Sequence, residues 1–156
     1  MRQEVIHVYQ RFKTYCMSLY GVVLWDLSGK RVEQFFVAWW KCIRRFFRLP
    51  MRTHSRLLPL LCEDLPVNVQ LHARFLNFFF TLRNSSNSLV RFISSISIND
   101  SQSEFSKSIT YICRKYNLSK YNLNDRLTNI NVIKNVKYDI QDEIISGSII
   151  DLMRIR

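Results

Sequence analysis

Residues 31–49 read RVEQFFVAWWKCIRRFFRL and run directly into Pro50, and no other segment limits the fold so tightly. At 100° per residue, Val32, Phe35, Phe36, Trp39, Trp40, Ile43, Phe46 and Phe47 share one broad face. Gln34, Ala38, Lys41, Arg44, Arg45 and Arg48 share the other. Such a helix needs an interior to cover its rings, each contributing on the order of 1.5–3 kcal/mol when buried. The apolar face is wide enough for a central core helix, with the basic face turned outward. Pro50 ends it, because the residue before a proline is pushed out of the helical region.

Helical spacing recurs on both sides. Residues 4–20 set Val5, Val8, Phe12, Tyr15, Cys16 and Leu19 three and four apart, predicting a helix that ends near Gly21 with Arg11 and Lys13 outside. Within 51–63, Thr53 is placed to cap a short helix carrying Leu57, Leu58, Leu60 and Leu61 inward, and Pro59 keeps it short or kinked. Pro66 suits a first helical turn, and the stretch to Arg83 has an apolar stripe of Val69, Leu71, Phe75, Leu76, Phe78 and Phe79. After a polar break at 84–88, LVRFISSISI reads as a short helix, its β-branched residues leaving a strand open. NDSQSEFSKS reads as a polar loop leading into ITYICRKYN. Residues 119–138 read as a linker, and a last helix over about 139–154 turns Ile140, Ile144, Ile145, Ile149, Leu152 and Met153 toward a partner.

With three glycines and three prolines, a sheet-rich fold would be short of turn residues. The expectation is an all-α protein: a small irregular bundle of about five to seven helices with a less ordered Asn- and Ser-rich C-terminal third. It divides into a helical region at 1–83 and a weaker helical tail with polar linkers at 84–156.

Charge narrows the partners. The chain has 23 Lys and Arg against 12 Asp and Glu, a net charge of +11, which favours polyanions: nucleic acid or an anionic lipid surface. Lys41, Arg44, Arg45, Arg48, Arg52 and Arg56 fall in one helix and the turn after it, with no acidic residue between Glu33 and Glu63. Arginine's planar fork suits phosphate oxygens, and Thr53 and His54 can add hydrogen bonds to the same backbone. These eight residues are the candidate nucleic-acid site; a solvated basic face without a ligand is the plainer alternative.

No catalytic signature is present: no GxSxG, no phosphate loop ending in GK[ST], no HExxH, and no aspartate pair in a YADD-like turn. The chain by itself is therefore expected not to be an enzyme, to hold no metal or other cofactor, and to take no small-molecule substrate. Cys16, Cys42, Cys62 and Cys113 form no CxxC pair and read as separate core thiols of a reduced compartment. The opening MRQEVIHVYQRF is too polar for a signal peptide, and the longest apolar runs are far too short to span a membrane. An intracellular protein, nuclear or cytoplasmic and not secreted, is expected.

Several pieces together resemble a known family. Tyr15-Cys16-Met17-Ser18-Leu19-Tyr20-Gly21, Leu24-Trp25, Ala38-Trp39, Arg44-Arg45, Leu49-Pro50, Arg52-Thr53-His54, Leu57-Leu58-Pro59-Leu60 and residues 64–72 look like the segment of non-LTR, LINE-like and jockey-like retrotransposon reverse transcriptases that follows the catalytic palm. YICRKYNLS and IIDLMRIR look like its weaker tail. The resemblance covers nearly the whole chain and is strongest over 12–80. It implies a helical thumb and post-thumb region, with 1–83 thumb-like, holding template and primer. The partner would be RNA or an RNA–DNA hybrid duplex, and the remaining polymerase domains. The palm aspartates that bind Mg2+ in the parent enzyme, an RNA-directed DNA polymerase, are absent from this segment. A family member would not begin at Met1, so a piece of a truncated or longer mobile element is expected. Two other readings stay open: a basic amphipathic membrane-surface protein using Trp39, Trp40 and Phe46, and a non-functional relic of the element.

Overall fold

The computed structural model describes residues 2–16 and 21–118, together with residue 142. Among the described residues the protein is all-α, as expected. The order is α1 (Arg2–Cys16), a 3-10 turn (Val22–Leu24), α2 (Lys30–Phe46), α3 (Leu57–Cys62), α4 (Val67–Arg83), α5 (Ser88–Asn99) and α6 (Glu104–Lys115). The linker and last helix expected over 119–138 and 139–154 lie outside the described residues, apart from the single residue 142.

The central helix is α4, not α2. Val67, Val69, Leu71, His72, Ala73, Phe75, Leu76, Phe79 and Phe80 are all buried along it, whereas α2 buries only Val32, Trp39 and Ile43. The physical reason is coverage. A helix touched on one side needs only a stripe, but α4 has α2, α5 and the 3-10 turn around it and so is apolar around most of its circumference. Its first residue, Val67, joins a cluster with Tyr9, Trp39, Ile43, Leu58 and Cys62. Its C-terminal half joins a second cluster with Leu27, Ile109, Ile112 and Cys113. Residues on both sides of Arg83 thus share one core.

Local chemistry explains where the helices stop. α2, α3 and α6 each end with a left-handed residue: Arg48, Glu63 and Asn117, at φ 53°, 51° and 51°. In each case the next amide reaches back five residues, Leu49 to Arg44, Asp64 to Pro59 and Leu118 to Cys113, at 2.8, 3.0 and 2.8 Å. This is the Schellman arrangement, which satisfies carbonyls the helix would otherwise leave bare. Glycine or asparagine normally fills that position, so Arg48 and Glu63 hold it at a cost. Arg48→Gly is expected to raise stability by up to about 1 kcal/mol, the relief of roughly 1–2 kcal/mol of left-handed strain less glycine's extra unfolded-state entropy. A thermal melt checks this; an unchanged or lower midpoint would contradict it.

Several expectations are corrected. On α1 the inward side carries Tyr9, with Phe12 and Lys13 half-buried, while Val8, Tyr15 and Cys16 are exposed. Lys13 does not face outward: its ammonium pairs with Asp64, which also accepts a 3.4 Å bond from the Tyr9 hydroxyl. The polar anchor selects the face, which counting apolar residues cannot do. Thr53 caps nothing, because α3 starts at Leu57 with Arg56 at its cap position and no side-chain bond there. Leu58 is buried and Leu57 half-buried, but Leu60 and Leu61 are exposed, since so short a helix meets its neighbours along one line. Cys16 and Cys42 are exposed rather than core thiols; Cys62 and Cys113 are buried. Burial pushes the Cys62 thiol up to about 11, so it stays protonated.

The loop read over 99–108 is also corrected, because α6 already begins at Glu104. Its serines are used inside. Ser108 takes the Leu27 amide at 3.1 Å and donates to the Trp25 carbonyl at 3.3 Å, and Ser106 donates to the Ile98 carbonyl at 3.0 Å. Residues 88–99 are helical rather than a strand, capped by the Asn87 side chain, which accepts the Leu89 amide at 2.9 Å.

Candidate nucleic-acid interface

The basic end of α2 is built by three local devices. The aromatic face turns Lys41 and Arg45 outward by helical periodicity alone; Trp39 is buried, and Phe12 stacks on both Trp39 and Phe46 at 5.9 and 5.6 Å. The left-handed turn at Arg48 then reverses the chain. Finally Arg44 holds the following loop against the helix: its Nε donates to the Thr53 carbonyl at 2.9 Å and its Nη2 to the Ser55 hydroxyl at 2.7 Å. The loop carrying Arg52, His54 and Arg56 is thereby fixed beside the last turn of α2.

The eight candidate residues divide accordingly. Lys41, Arg45, Arg48, Arg52, His54 and Arg56 are exposed, whereas Arg44 and Thr53 are half-buried. Among the described residues no carboxylate pairs with any of them. Arg44 spends donors within the protein, so its contribution is to position the loop, and Thr53 offers the loop its carbonyl. Ser55 was missed by the sequence reading; nothing but its hydroxyl near a basic run marks it. Arg44 and Arg45 lie in the last turn of α2, where the carbonyl end of the helix favours cations. That tethers positive charge there without neutralising it.

Among the described residues no group of three or more His, Cys, Asp or Glu side chains stands close enough to hold a metal ion. His72 is buried, with Nδ1 2.6 Å from the Tyr116 hydroxyl and Nε2 without a hydrogen-bond partner among the described residues. Its ring meets Tyr111 and Tyr116 edge-on at 5.7 and 5.5 Å. Burial first, and the Lys115 charge second, pull its pKa down to about 3, so at neutral pH it is an uncharged core side chain.

No family model, curated protein or solved structure matches this chain. The functional reading therefore rests on its own residues. Among the described residues no helix is long and apolar enough to cross a membrane. The rings a bilayer-surface reading would use are largely turned inward, with Trp39 buried and Trp40 and Phe46 half-buried in the cluster around Tyr9 and Ile43.

Proposed function

We propose that this chain is a thumb-like segment of a non-LTR retrotransposon reverse transcriptase, lying after the catalytic palm, that grips template–primer nucleic acid through the basic end of α2 and the loop after it. The observation that carries the reading is the set of exposed cations Lys41, Arg45, Arg48, Arg52 and Arg56, without a carboxylate partner among the described residues and gathered by the Arg44 tie and the Schellman turn. The family origin rests on the resemblance described above. In this reading the chain supplies grip rather than chemistry; the metal-binding aspartates of the polymerase lie in another domain. Phosphate contacts of this kind position a duplex without reading its sequence.

The test is fluorescence anisotropy of the purified chain on an RNA–DNA hybrid across a salt series. With four to six phosphate contacts, log affinity is expected to fall against log salt with a slope of about −4 to −5, at about 0.9 per contact. Arg45→Glu, Arg48→Glu and Arg52→Glu together should flatten that slope by about 3 and weaken binding at least tenfold. Arg44 is left in place to keep the loop folded. Equal binding by the folded triple variant would remove the interface, and attachment to anionic vesicles that survives high salt would favour the membrane-surface reading instead.

A further inference from the structure

The other end of α2 carries a cleft that the basic grip does not use. It is about 720 Å3 in volume, and its lining includes the apolar Leu24, Trp25, Val32 and Phe35 and the basic Lys30 and Arg31. That volume lies within the roughly 300–1,000 Å3 range of small-ligand sites. Trp25 is the accessible tryptophan of the three, 38% exposed where Trp39 is 8%, and it meets Phe35 edge-on at 5.7 Å.

The tight turn before α2 fixes this geometry. Asp26 Oδ1 accepts the Ser28 amide at 2.9 Å and the Ser28 hydroxyl at 2.6 Å. A Cβ at Gly29 would stand 2.9 Å from Asp26 Oδ2 and 3.2 Å from the Asp26 carbonyl oxygen, so a side chain there would crowd the turn and displace the Asp26 carboxylate. Trp25 before the turn and Lys30 after it line the same cleft.

Charge selects the occupant. Of the two carboxylates lining the cleft, Asp26 is engaged by Ser28 and Glu104 pairs with Lys107 at 2.9 Å. Lys30 and Arg31 are exposed and have no carboxylate partner among the described residues. An accessible aromatic wall in one cleft with two exposed cations matches one base and its neighbouring phosphate, because every base has a face to stack and a phosphate to neutralise.

We propose that this cleft binds an unpaired base of a single-stranded nucleic acid, stacked on Trp25 with the adjoining phosphates on Lys30 and Arg31. The proposal rests on the nucleic-acid reading above and makes its substrate more specific. At 1.5 Å per residue the two ends of α2 are about 24 Å apart, so the preferred ligand is a duplex with a single-stranded overhang, held at both sites.

The experiment compares the full chain with its Trp25→Leu variant on a blunt RNA–DNA hybrid, a single-stranded RNA, and the hybrid carrying a single-stranded overhang. Trp25→Leu should weaken single-strand and overhang binding by about 5- to 150-fold, the range for one stacked base, and leave the blunt duplex unchanged. Trp25→Phe, which keeps a ring, should restore most of the loss. Lys30→Glu with Arg31→Glu should flatten the single-strand salt slope by about 1.4, at about 0.7 per contact on a single strand. Single-strand affinity unchanged in Trp25→Leu would give the cleft to an apolar protein segment and overturn the proposal. So would an equal loss on all three ligands by a variant whose helical circular dichroism is intact. The Arg45, Arg48 and Arg52 variant tests the duplex grip separately, so either site can fail alone.

Discussion

Replacing Phe79 by alanine is expected to lower the unfolding free energy by about 3–5 kcal/mol, the usual range for emptying a ring-sized space in a closed core. Phe79 is 1% exposed, and its ring meets Phe80 and Phe105 at 5.4 and 6.1 Å, with the Arg83 guanidinium 5.7 Å above it. Those rings come from α4 and α6, so the cavity would open where the second cluster is densest. Because α4 also reaches the first cluster through Val67, the loss should appear as one cooperative transition with its slope in urea retained. Phe92→Ala is the control: the ring is 62% exposed on α5, and its removal should change stability by less than about 0.5 kcal/mol. Denaturant titrations followed by circular dichroism compare the two. Equal losses would mean that α4 is not the strut of this fold.

Acid should destabilise the protein through His72. An unfolded histidine titrates near 6.5, while burial holds His72 neutral down to about 3 in the folded chain. Between these values the unfolded state takes up a proton that the folded state refuses. The contribution is thus fully present above pH 6.5 and is lost as pH falls, at a slope approaching 1.4 kcal/mol per pH unit. By pH 4.5 this amounts to roughly 2–3 kcal/mol. His72→Gln, which cannot charge, should flatten the stability curve between pH 7 and 4.5, whatever its stability at neutral pH. Carboxylates titrate in both proteins and cancel in the difference. Parallel curves would show that His72 is not the group refusing the proton.

How much of this was legible depended on whether the signal was local. The helices at 31–49 and from Pro66 to Arg83 were readable from periodicity and proline placement; the second stands close to those bounds, whereas the first stops at Phe46, three residues before its expected end, because the left-handed turn at Arg48 and not Pro50 ends it. The loop expected at 99–108 was misread because Ser106 and Ser108 look solvated in sequence. Their hydroxyls replace water by bonding Ile98, Trp25 and Leu27, partners up to 83 residues away. Cys42 lies next to the buried Ile43, yet one step along a helix is a 100° turn, enough to place it outside. For the candidate site the run of cations was plain, but the different station of Arg44 was not. Its role depends on a loop that folds back only after Arg48 adopts a left-handed backbone, a conformation no arginine advertises.

The sequence alone determined the all-α class, the aromatic and basic faces of α2 and the net positive charge, since each follows from spacing or counting along the chain. Only the tertiary structure decided that α4 is the central strut, that Lys13 and Tyr9 turn to Asp64, and that Trp25 stands accessible in one cleft with Lys30. Each of those depends on which apolar faces find one another. Helices with comparable stripes differ in burial by how many neighbours surround them, and that number is a property of the assembled bundle.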